Sequence, residues 1–401
     1  MTSEAFVWVW LPDATDPVVC ARLWQASGVL RFVYGRSYRD RPDAIALDPH
    51  LLPLDAAAHV ARLPERLPGP IADAAPDAWG RRVLEYRTNR ARLSEIDYLL
   101  AGGGERIGAL HFQASPTHYE PPLLRPASLT QLVQAAEHVE QQTPLPEDLR
   151  MALAHGTSIG GARPKATIQD GSGYWIAKFG ASTDRYAVVE TECATLSLAE
   201  RCGITVPTHQ TVEAAGRSVL LVRRFDRELR GGAVTRRLLL TALTLLQLDE
   251  TQARLASYPA LAEVLRRSSS QPLIDTAELF RRMVFNLLVG NTDDHAKNHA
   301  CVWDGRWLTL TPAYDLVPLP RVGQEARQAM LVGVSGPEAT LSNAYSQAGR
   351  FGLSAAEAGA IIDEVRHGLE DWMGLFADHG VPEAEIERLN GTTVLSPAVL
   401  R

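Results

Sequence analysis

The most informative segments of this chain are GNTDDHAKNH at residues 290–299 and PAYD at residues 312–315. Apolar residues recur at helical spacing through residues 279–288, which predicts a buried helix that ends at Gly290. A segment rich in acids, histidines and amides directly after a buried helix is typical of a functional loop on a rigid scaffold. Residues 290–299, called the polar turn below, are therefore the expected centre of the chemistry.

The composition is that of an ordinary globular protein. Of its 401 residues, 46% are hydrophobic and 22% are charged. A net charge of -7 argues against nucleic acid as the main partner, because phosphate binding normally shows as a basic excess. The cysteines, at positions 20, 193, 202 and 301, form no C-x-x-C pair, which favours reduced thiols. No signal peptide or membrane span is predicted, so we expect a cytoplasmic protein without a membrane partner.

The order of patterns predicts an α+β front half and a mostly helical back half. Strand-like patterns cover residues 6–11, 30–34, 107–112, 168–179, 211–212 and 218–222. Helical patterns cover residues 77–100, 129–142, 187–202, 238–248, 261–267, 277–289 and 355–377. Beyond residue 226 we expect helices throughout. We predict an N-terminal subdomain at 1–115, an α+β region at 116–226 and a helical region at 227–401, with a ligand cleft between the last two.

Asp293 and Asn298 have the D-x-x-x-x-N spacing of a protein kinase catalytic loop, and Asp315 follows as a second acid. In such a loop the first carboxylate accepts the proton of the attacking hydroxyl. The amide and the second carboxylate supply the hard oxygen ligands that Mg²⁺ prefers. Taken alone, the pair of Asp293 and Asn298 also fits a capped turn after a helix.

Lys178 lies inside a predicted strand, and Glu192 follows early in the next predicted helix. A lysine among apolar strand residues needs an anionic partner, because an unpaired buried charge is costly. A strand lysine paired with a helix glutamate holds the ATP phosphates in kinases. Separately, the two residues also fit an edge strand and a solvated helix face. Their order before Asp293 and Asp315 favours phosphoryl transfer.

Residues 156–165, GTSIGGARPK, predict a phosphate loop. Small residues let backbone N–H groups approach phosphate oxygens, and Arg163 and Lys165 add positive charge. The segment matches neither of the common glycine-rich phosphate motifs, and a flexible hairpin turn is the alternative.

Several motifs resemble the HipA family of serine/threonine kinases, which act as toxins in bacterial toxin–antitoxin pairs. They are SIGGARPK at 158–165, RFDR at 224–227, TDDHAKN at 292–298 and PAYDL at 312–316. PDAWGR at 76–81 and GERIGAL at 104–110 are similar to the N-terminal subdomain of full-length members. The resemblance implies an α+β, bilobal protein-kinase-like fold with this extra subdomain.

The resemblance also implies a role for each matched position. Asp293 would accept the proton, with Lys178 and Glu192 completing the catalytic set. Asn298 and Asp315 would bind Mg²⁺, and Ser158 would be autophosphorylated to inactivate the kinase. The implied ATP-binding residues are Gly160, Gly161, Ala162, Arg163, Pro164, Lys165, Lys178, Arg223, Arg224, Phe225, Asp226, His295, Lys297, Asn298, Tyr314 and Asp315. Among them, Arg223, Arg224 and Phe225 would meet adenine through their backbone, and Asp226 would lie near the ribose.

The implied partners are a protein substrate such as an aminoacyl-tRNA synthetase, a helix-turn-helix antitoxin of HipB type, and operator DNA held mainly through that antitoxin. Two alternatives stay open. A zinc-dependent hydrolase would use His295 and His299, which share one face if they lie on a helix, although Ala296 stands where such enzymes have a glutamate. A degenerate kinase fold would only dock onto an antitoxin or DNA. Asp294 and His299 have no role in the kinase set, and we expect both to be structural.

Overall fold

The computed structural model describes residues 4–61, 66–121, 127–147, 149, 163–181, 184, 186–321 and 325–401. The chain forms two compact units. The first unit consists of Met1–Thr183, Val212–Leu240 and Val302–Arg306. The second unit consists of Asp184–Thr211, Thr241–Cys301 and Trp307–Arg401. The predicted three-part division at residues 115 and 226 stays a prediction.

The first unit begins with a five-stranded antiparallel sheet in the order β4-β3-β2-β1-β5. Its strands are β1 (Glu4–Val9), β2 (Val18–Ala26), β3 (Val29–Tyr34), β4 (His59–Val60) and β5 (Leu110–Gln113). Ser27 and Gly28 join β2 to β3, both with positive φ, at 53° and 75°. Two such residues match the twist of the flanking strands, so the hairpin closes tightly.

A second sheet of the first unit has the order β6-β7-β9-β8. Its strands are β6 (Lys165–Asp170), β7 (Gly173–Phe179), β8 (His209–Ala214) and β9 (Arg217–Arg223). The helices of this unit are α1 (Arg36–Arg39), α2 (Gly69–Asp73), α3 (Ala78–Thr88), α4 (Glu95–Ala101) and α5 (Leu129–Gln141). Trp79 of α3 and Val133 of α5 share one buried core with Trp175 and Val219 of the sheet. This core fixes the strands that carry Lys165 and Lys178.

The single helix predicted over residues 77–100 is wrong, because two helices occupy this range. Asn89 adopts the left-handed conformation with φ 51° and ends α3. Ser94 then starts α4 with a capping box to Asp97, which supplies partners for two otherwise unpaired N–H groups. The capping residues, rather than the apolar period, therefore set the boundaries.

The prediction of helices throughout residues beyond 226 is also wrong. A hairpin of β10 (Arg227–Arg230) and β11 (Ala233–Arg236) comes first. β12 (Leu238–Thr241) replaces the start of the helix predicted at 238–248, and only α7 (Ala242–Leu245) remains of that helix. Short apolar runs such as Leu238-Leu239-Leu240 do not distinguish a buried strand from a buried helix. Two further strands are β13 (Ala300–Trp303) and β14 (Leu308–Leu310).

Helices dominate the second unit. They are α6 (Val188–Arg201), α8 (Tyr258–Ser268), α9 (Pro272–Val289), α10 (Leu341–Tyr345), α11 (Ala355–Gly368), α12 (Trp372–Asp378) and α13 (Glu383–Leu389), besides α7. The helix predicted over 355–377 is therefore two helices. α9 confirms the predicted buried helix: its Leu279, Phe280, Met283 and Leu287 are fully buried. A helix buried on most of its faces is a rigid support for the turn that follows it.

Both units combine helices with sheets, so the predicted α+β class is confirmed. Among the described helices, none combines the length and the apolar character that a membrane crossing requires.

Candidate active site

The polar turn starts where α9 ends in a left-handed residue. Gly290 has φ +79° and donates its N–H to the carbonyl of Asn286 at 3.1 Å. A Cβ at this position would lie 2.5 Å from Thr393 Cγ2 and 3.0 Å from the Thr393 carbonyl oxygen. Both the backbone conformation and the close approach therefore require glycine here. The chain leaves the helix in one fixed direction.

Inside the turn, Asp294 is 1% exposed and accepts hydrogen bonds from three side chains. Its Oδ2 accepts from the Tyr258 hydroxyl, from Asn286 Nδ2 at 2.7 Å and from His299 Nε2 at 2.9 Å. Burial and the neighbouring Asp294 carboxylate raise the pKa of Tyr258 well above its usual value, so the phenol stays a donor. The expectation that Asp294 and His299 are structural is confirmed.

Asp293 and Asn298, the predicted proton acceptor and metal ligand, lie in the same turn. Asp293 is exposed, whereas Asn298 is buried. Asn298 donates through Nδ2 to the Asp293 carbonyl at 3.3 Å, and its backbone N–H donates to the His295 carbonyl at 2.8 Å. Because the amide nitrogen is engaged within the turn, the amide oxygen is the atom left to act as a ligand. The turn thus presents one exposed carboxylate beside one oriented amide.

The PAYD segment is joined to the polar turn by hydrogen bonds. Tyr314 donates its hydroxyl to the Lys297 carbonyl at 2.8 Å. Further along, Leu319 donates its N–H to the Gly290 carbonyl at 3.0 Å. Asp315 itself has φ +62°, in the left-handed region that non-glycine residues rarely adopt. Such strained residues persist only where the surroundings hold them, and they cluster at functional sites.

Lys297 and His295 are the other two residues of the turn that are predicted to contact the nucleotide. The Lys297 ammonium group forms an ion pair with Glu250, at an exposed position. His295 is half-buried, and its Nδ1 is a buried nitrogen without a hydrogen-bond partner. An imidazole nitrogen in this state is available to a ligand that reaches it.

The zinc hydrolase alternative is wrong, because it requires His295 and His299 on one face of a helix. His295 and His299 flank a three-residue 3₁₀ turn, Ala296–Asn298, and both have extended backbone angles. They therefore share no helix face, and His299 Nε2 is bonded to Asp294. Across the residues that the structure describes, no three His, Cys, Asp or Glu side chains gather where they could hold a metal ion.

The predicted phosphate-binding residues divide between described and undescribed positions. Ser158, Gly160, Gly161 and Ala162 lie outside the described residues. Lys165 on β6 is the direct antiparallel partner of Lys178 on β7. Directly opposed residues of an antiparallel pair project from the same face of the sheet, with Cβ atoms roughly 4.5–5.5 Å apart. Two lysines therefore occupy neighbouring positions on one face of the sheet.

The register at this place is held from several sides. Phe179 donates its N–H to the Pro164 carbonyl at 3.0 Å, which continues the β6–β7 pairing past Lys165. Trp79 Nε1 donates to the Lys165 carbonyl at 3.2 Å. Arg163, half-buried, directly precedes this pairing. Lys178 belongs to the first unit, while Glu192 is a buried residue of α6 in the second, and the ion pair between them stays a prediction.

The predicted hinge residues are partly engaged in structural contacts. Arg224 is buried and forms an ion pair with Asp226 at 2.7 Å, while its backbone N–H donates to the Tyr174 carbonyl at 2.8 Å. Asp226 Oδ2 also accepts from the Gly108 N–H at 2.8 Å. Burial alone would raise the pKa of Asp226, but the Arg224 guanidinium outweighs it and lowers the pKa to about 2. Exposed Arg223 donates through Nη2 to the Ser172 carbonyl at 2.6 Å.

A buried charge cluster around this hinge was missed by the sequence interpretation. Arg224 and Arg227 both donate to the Arg106 carbonyl, at 2.7 Å and 2.5 Å. Glu105 Oε2 lies 3.7 Å from a guanidinium nitrogen of each. The only signal was that GERIGAL and RFDR, both quoted above as family motifs, are unusually charged for buried segments. Phe225 lies between the two arginines, and its predicted contact with adenine stays a prediction.

Comparison with known proteins gives two family matches. The model described as HipA-like C-terminal domain matches residues 157–373, and that of the HipA N-terminal domain matches residues 11–113. Among curated proteins, the chain is 31% identical over 147 residues to "Putative kinase Y4mE" of Sinorhizobium fredii, covering 35% of this chain and 34% of that protein. A second S. fredii protein of the same naming, Y4dM, is 31% identical over 158 residues, covering 36% of this chain and 37% of that protein. These matches span about a third of each relative's length.

A Haemophilus influenzae protein named "Putative kinase" is 23% identical over 267 residues, covering 61% of this chain and 73% of that protein. Among solved structures, the HipA chain of Shewanella oneidensis MR-1, in its complex with HipB and operator DNA, matches with a TM-score of 0.71. That match covers 97% of this chain and 94% of the Shewanella chain at 19% identity. The two chains therefore share one fold, and the predicted fold class is confirmed.

Proposed function

The chain belongs to the HipA family, and from this membership we propose that it is an ATP-dependent serine/threonine protein kinase of HipA toxin type. The observation that carries the proposal is the assembly of the predicted catalytic and metal-binding segments. The hydrogen bond from Tyr314 to Lys297 holds the segment of Asp315 against the turn that contains Asp293 and Asn298. Relatives carrying the name "Putative kinase" support the same reaction class.

The proposed reaction needs one group to take a proton. Asp293 is exposed in the turn, so its carboxylate is accessible to the hydroxyl of a protein substrate. It would orient that hydroxyl and accept its proton while the oxygen attacks the γ-phosphorus, and the bond from this phosphorus to the β,γ-bridging oxygen would break to release ADP. Because the Asp293 carbonyl is tied to Asn298 Nδ2, the backbone that carries this carboxylate is fixed before substrate arrives.

The donor set fits Mg²⁺. Asn298 offers an amide oxygen and Asp315 a carboxylate, both hard oxygen ligands of the kind that this ion prefers. Bound Mg²⁺ would neutralise charge on the ATP phosphates. Lys165 and Lys178, opposed on β6 and β7, would supply positive charge for binding of ATP phosphates.

Three further assignments belong to this proposal. Ser158, in the glycine-rich segment, would be autophosphorylated, and the added charge of about -1.5 to -2 would oppose binding of ATP phosphates nearby. The protein substrate would be an aminoacyl-tRNA synthetase. The regulatory partners would be a helix-turn-helix antitoxin of HipB type and operator DNA held mainly through it. The structurally similar Shewanella HipA chain is in a complex with HipB and operator DNA.

The direct test is phosphate transfer by the full chain. Purified protein and its Asp293→Asn variant are incubated with ATP and Mg²⁺, and phosphate on Ser158 and on added synthetases is mapped by mass spectrometry. We expect labelling by the parent and at least a hundredfold less by the variant, while titration shows that the variant still binds ATP. Equal labelling by both proteins refutes the role of Asp293. Absence of labelling by a folded, ATP-binding parent favours the non-catalytic alternative.

A further inference from the structure

The carboxylate of Asp294 is fixed by donors from three different elements. Tyr258 belongs to α8, Asn286 to α9, and His299 directly precedes β13. A buried carboxylate with several directed donors has one preferred orientation, because any rotation leaves a polar group unpaired. Asp294 therefore connects three elements of the second unit at one point.

Asn286 extends this connection to the start of the polar turn. Its backbone carbonyl accepts from the N–H groups of Gly290 and Asn291, at 3.1 Å and 2.9 Å. Its side-chain Oδ1 accepts from Asn291 Nδ2 at 3.0 Å, while its Nδ2 donates to Asp294. The beginning, the middle and the end of the turn are thus tied to one pair of buried side chains, Asn286 and Asp294.

Each of the two residues of the proposed reaction is the sequence neighbour of a member of this hydrogen-bond network. Asp293 precedes Asp294, and Asn298 precedes His299. Asp294, at 1% exposure, does not itself reach a substrate. Its influence on the reaction therefore passes through the positions of its neighbours.

We propose that Asp294, held by Tyr258, Asn286 and His299, is the positioning residue that fixes Asp293 and Asn298 in the orientation needed for phosphate transfer. The inference rests on the proposed kinase function. It adds a residue whose loss affects turnover more than nucleotide binding, because the proposed ATP site also draws on contacts outside the turn, those of Lys165 and Lys178. A displaced turn leaves those contacts in place but moves the carboxylate from the attacking hydroxyl.

The second unit contains a matched control. Asp275 is also a buried carboxylate, and it accepts from Ser269 Oγ at 2.5 Å and from the Leu310 N–H at 3.2 Å. Neither Ser269 nor Leu310 is a predicted site residue. Asp275→Asn therefore perturbs a comparable buried carboxylate in the same unit without touching the polar turn.

The experiment compares the full chain with its Asp294→Asn, Tyr258→Phe and Asp275→Asn variants. We expect kcat for phosphate transfer to fall at least tenfold in Asp294→Asn and about threefold to tenfold in Tyr258→Phe. The KM for ATP should change by a smaller factor than kcat in both. Asp275→Asn should lower the unfolding midpoint while keeping the parent kcat. Tyr258→Phe keeps the test decisive if Asp294→Asn does not fold.

Hydrogen exchange gives a readout that is independent of activity. We expect the peptide covering residues 290–299 to exchange faster in Asp294→Asn and Tyr258→Phe than in the parent and in Asp275→Asn. Parent-like kcat in a folded Asp294→Asn overturns the inference, as does an equal kcat loss in Asp275→Asn. If the parent transfers no phosphate, the proposed function fails, and the exchange comparison still decides whether Asp294 holds the turn. Parent-like exchange of residues 290–299 in both turn variants overturns it.

Discussion

Tyr314 donates its hydroxyl to the main-chain carbonyl of Lys297 across 2.8 Å, and this bond joins two segments separated by a strand pair in the sequence. The acceptor lies between His295 and Asn298, and the donor immediately precedes Asp315. One hydrogen bond thus links the segment predicted to accept a proton with the segment predicted to hold Mg²⁺.

The Tyr314 bond predicts a specific kinetic defect. Tyr314→Phe removes the donor and keeps the ring, so the cost to stability should be only about 1 kcal/mol. We expect kcat for phosphate transfer to fall severalfold, because the Leu319 bond to Gly290 remains but Asp315 is held less firmly against the turn. Tyr345→Phe is the control, since its hydroxyl also donates to a backbone carbonyl in the same unit, that of Ala355 at 3.3 Å. Equal kcat values for the two variants contradict the prediction.

Gly290→Ala should destabilise the protein by more than its backbone angle alone explains. A non-glycine residue at φ +79° costs roughly 1–2 kcal/mol, and the added Cβ would meet Thr393 Cγ2 at 2.5 Å. Gly391→Ala is the control, since Gly391 has φ +67° with no atom within 4 Å of an added Cβ. Denaturant unfolding should show the larger loss for Gly290→Ala. Adding Thr393→Ser, which removes Cγ2 and keeps the hydroxyl, should restore part of the difference.

Acid should weaken the first unit through Asp226. Its pKa of about 2 in the folded state lies below the ordinary 3.8, so its stabilisation is present above pH 3.8 and is lost as pH falls toward 2. Asp226→Asn should cost about 3–5 kcal/mol at pH 7, because Arg224 is left buried without its closest partner. It should also flatten the loss of stability between pH 4 and pH 2. Parallel pH profiles for parent and variant, measured by chemical unfolding, would show that another group governs this range.

The opposed lysines should act on one ligand together. Lys165→Met and Lys178→Met should each weaken ATP·Mg²⁺ binding, and the double variant should lose less than the sum, because both side chains share one face of the sheet. Calorimetric titration measures all three affinities. Arg217→Met, which removes an ion pair with Glu137 at 2.8 Å in the same unit, should leave them unchanged. Strict additivity of the two lysine substitutions would place their side chains on separate ligands.

Sequence reasoning was reliable where a feature depends on local pattern. The sequence predicts α9 because its apolar residues repeat at helical spacing up to a glycine, although the helix begins at Pro272, five residues before the predicted start at 277. The strand at Leu238–Thr241 was mistaken for helix because a short apolar run carries no period. The structural role of Asp294 was expected only by exclusion, and its donors, Tyr258 and Asn286, lie 36 and 8 residues away in sequence.

The buried charge cluster around Arg224 could not be predicted from the sequence. Arg224 and Glu105 are 119 residues apart, and no local pattern pairs them. Long-range ion pairs depend on the tertiary fold, which brings the GERIGAL and RFDR segments together. The family resemblance identified both segments as motifs, but their contact with each other is seen only in the tertiary structure.

That contact also limits how far this protein could be trimmed. Arg224 and Arg227 donate to the carbonyl of Arg106, and the N–H of Gly108 satisfies Asp226. A shortened version that begins after residue 115 would lack these partners. The guanidinium groups of Arg224 and Arg227 would then have to bind water or anions in place of the Arg106 carbonyl. Minimisation by engineering, or by natural loss of the leading segment, would therefore have to replace the arginines at 224 and 227 first.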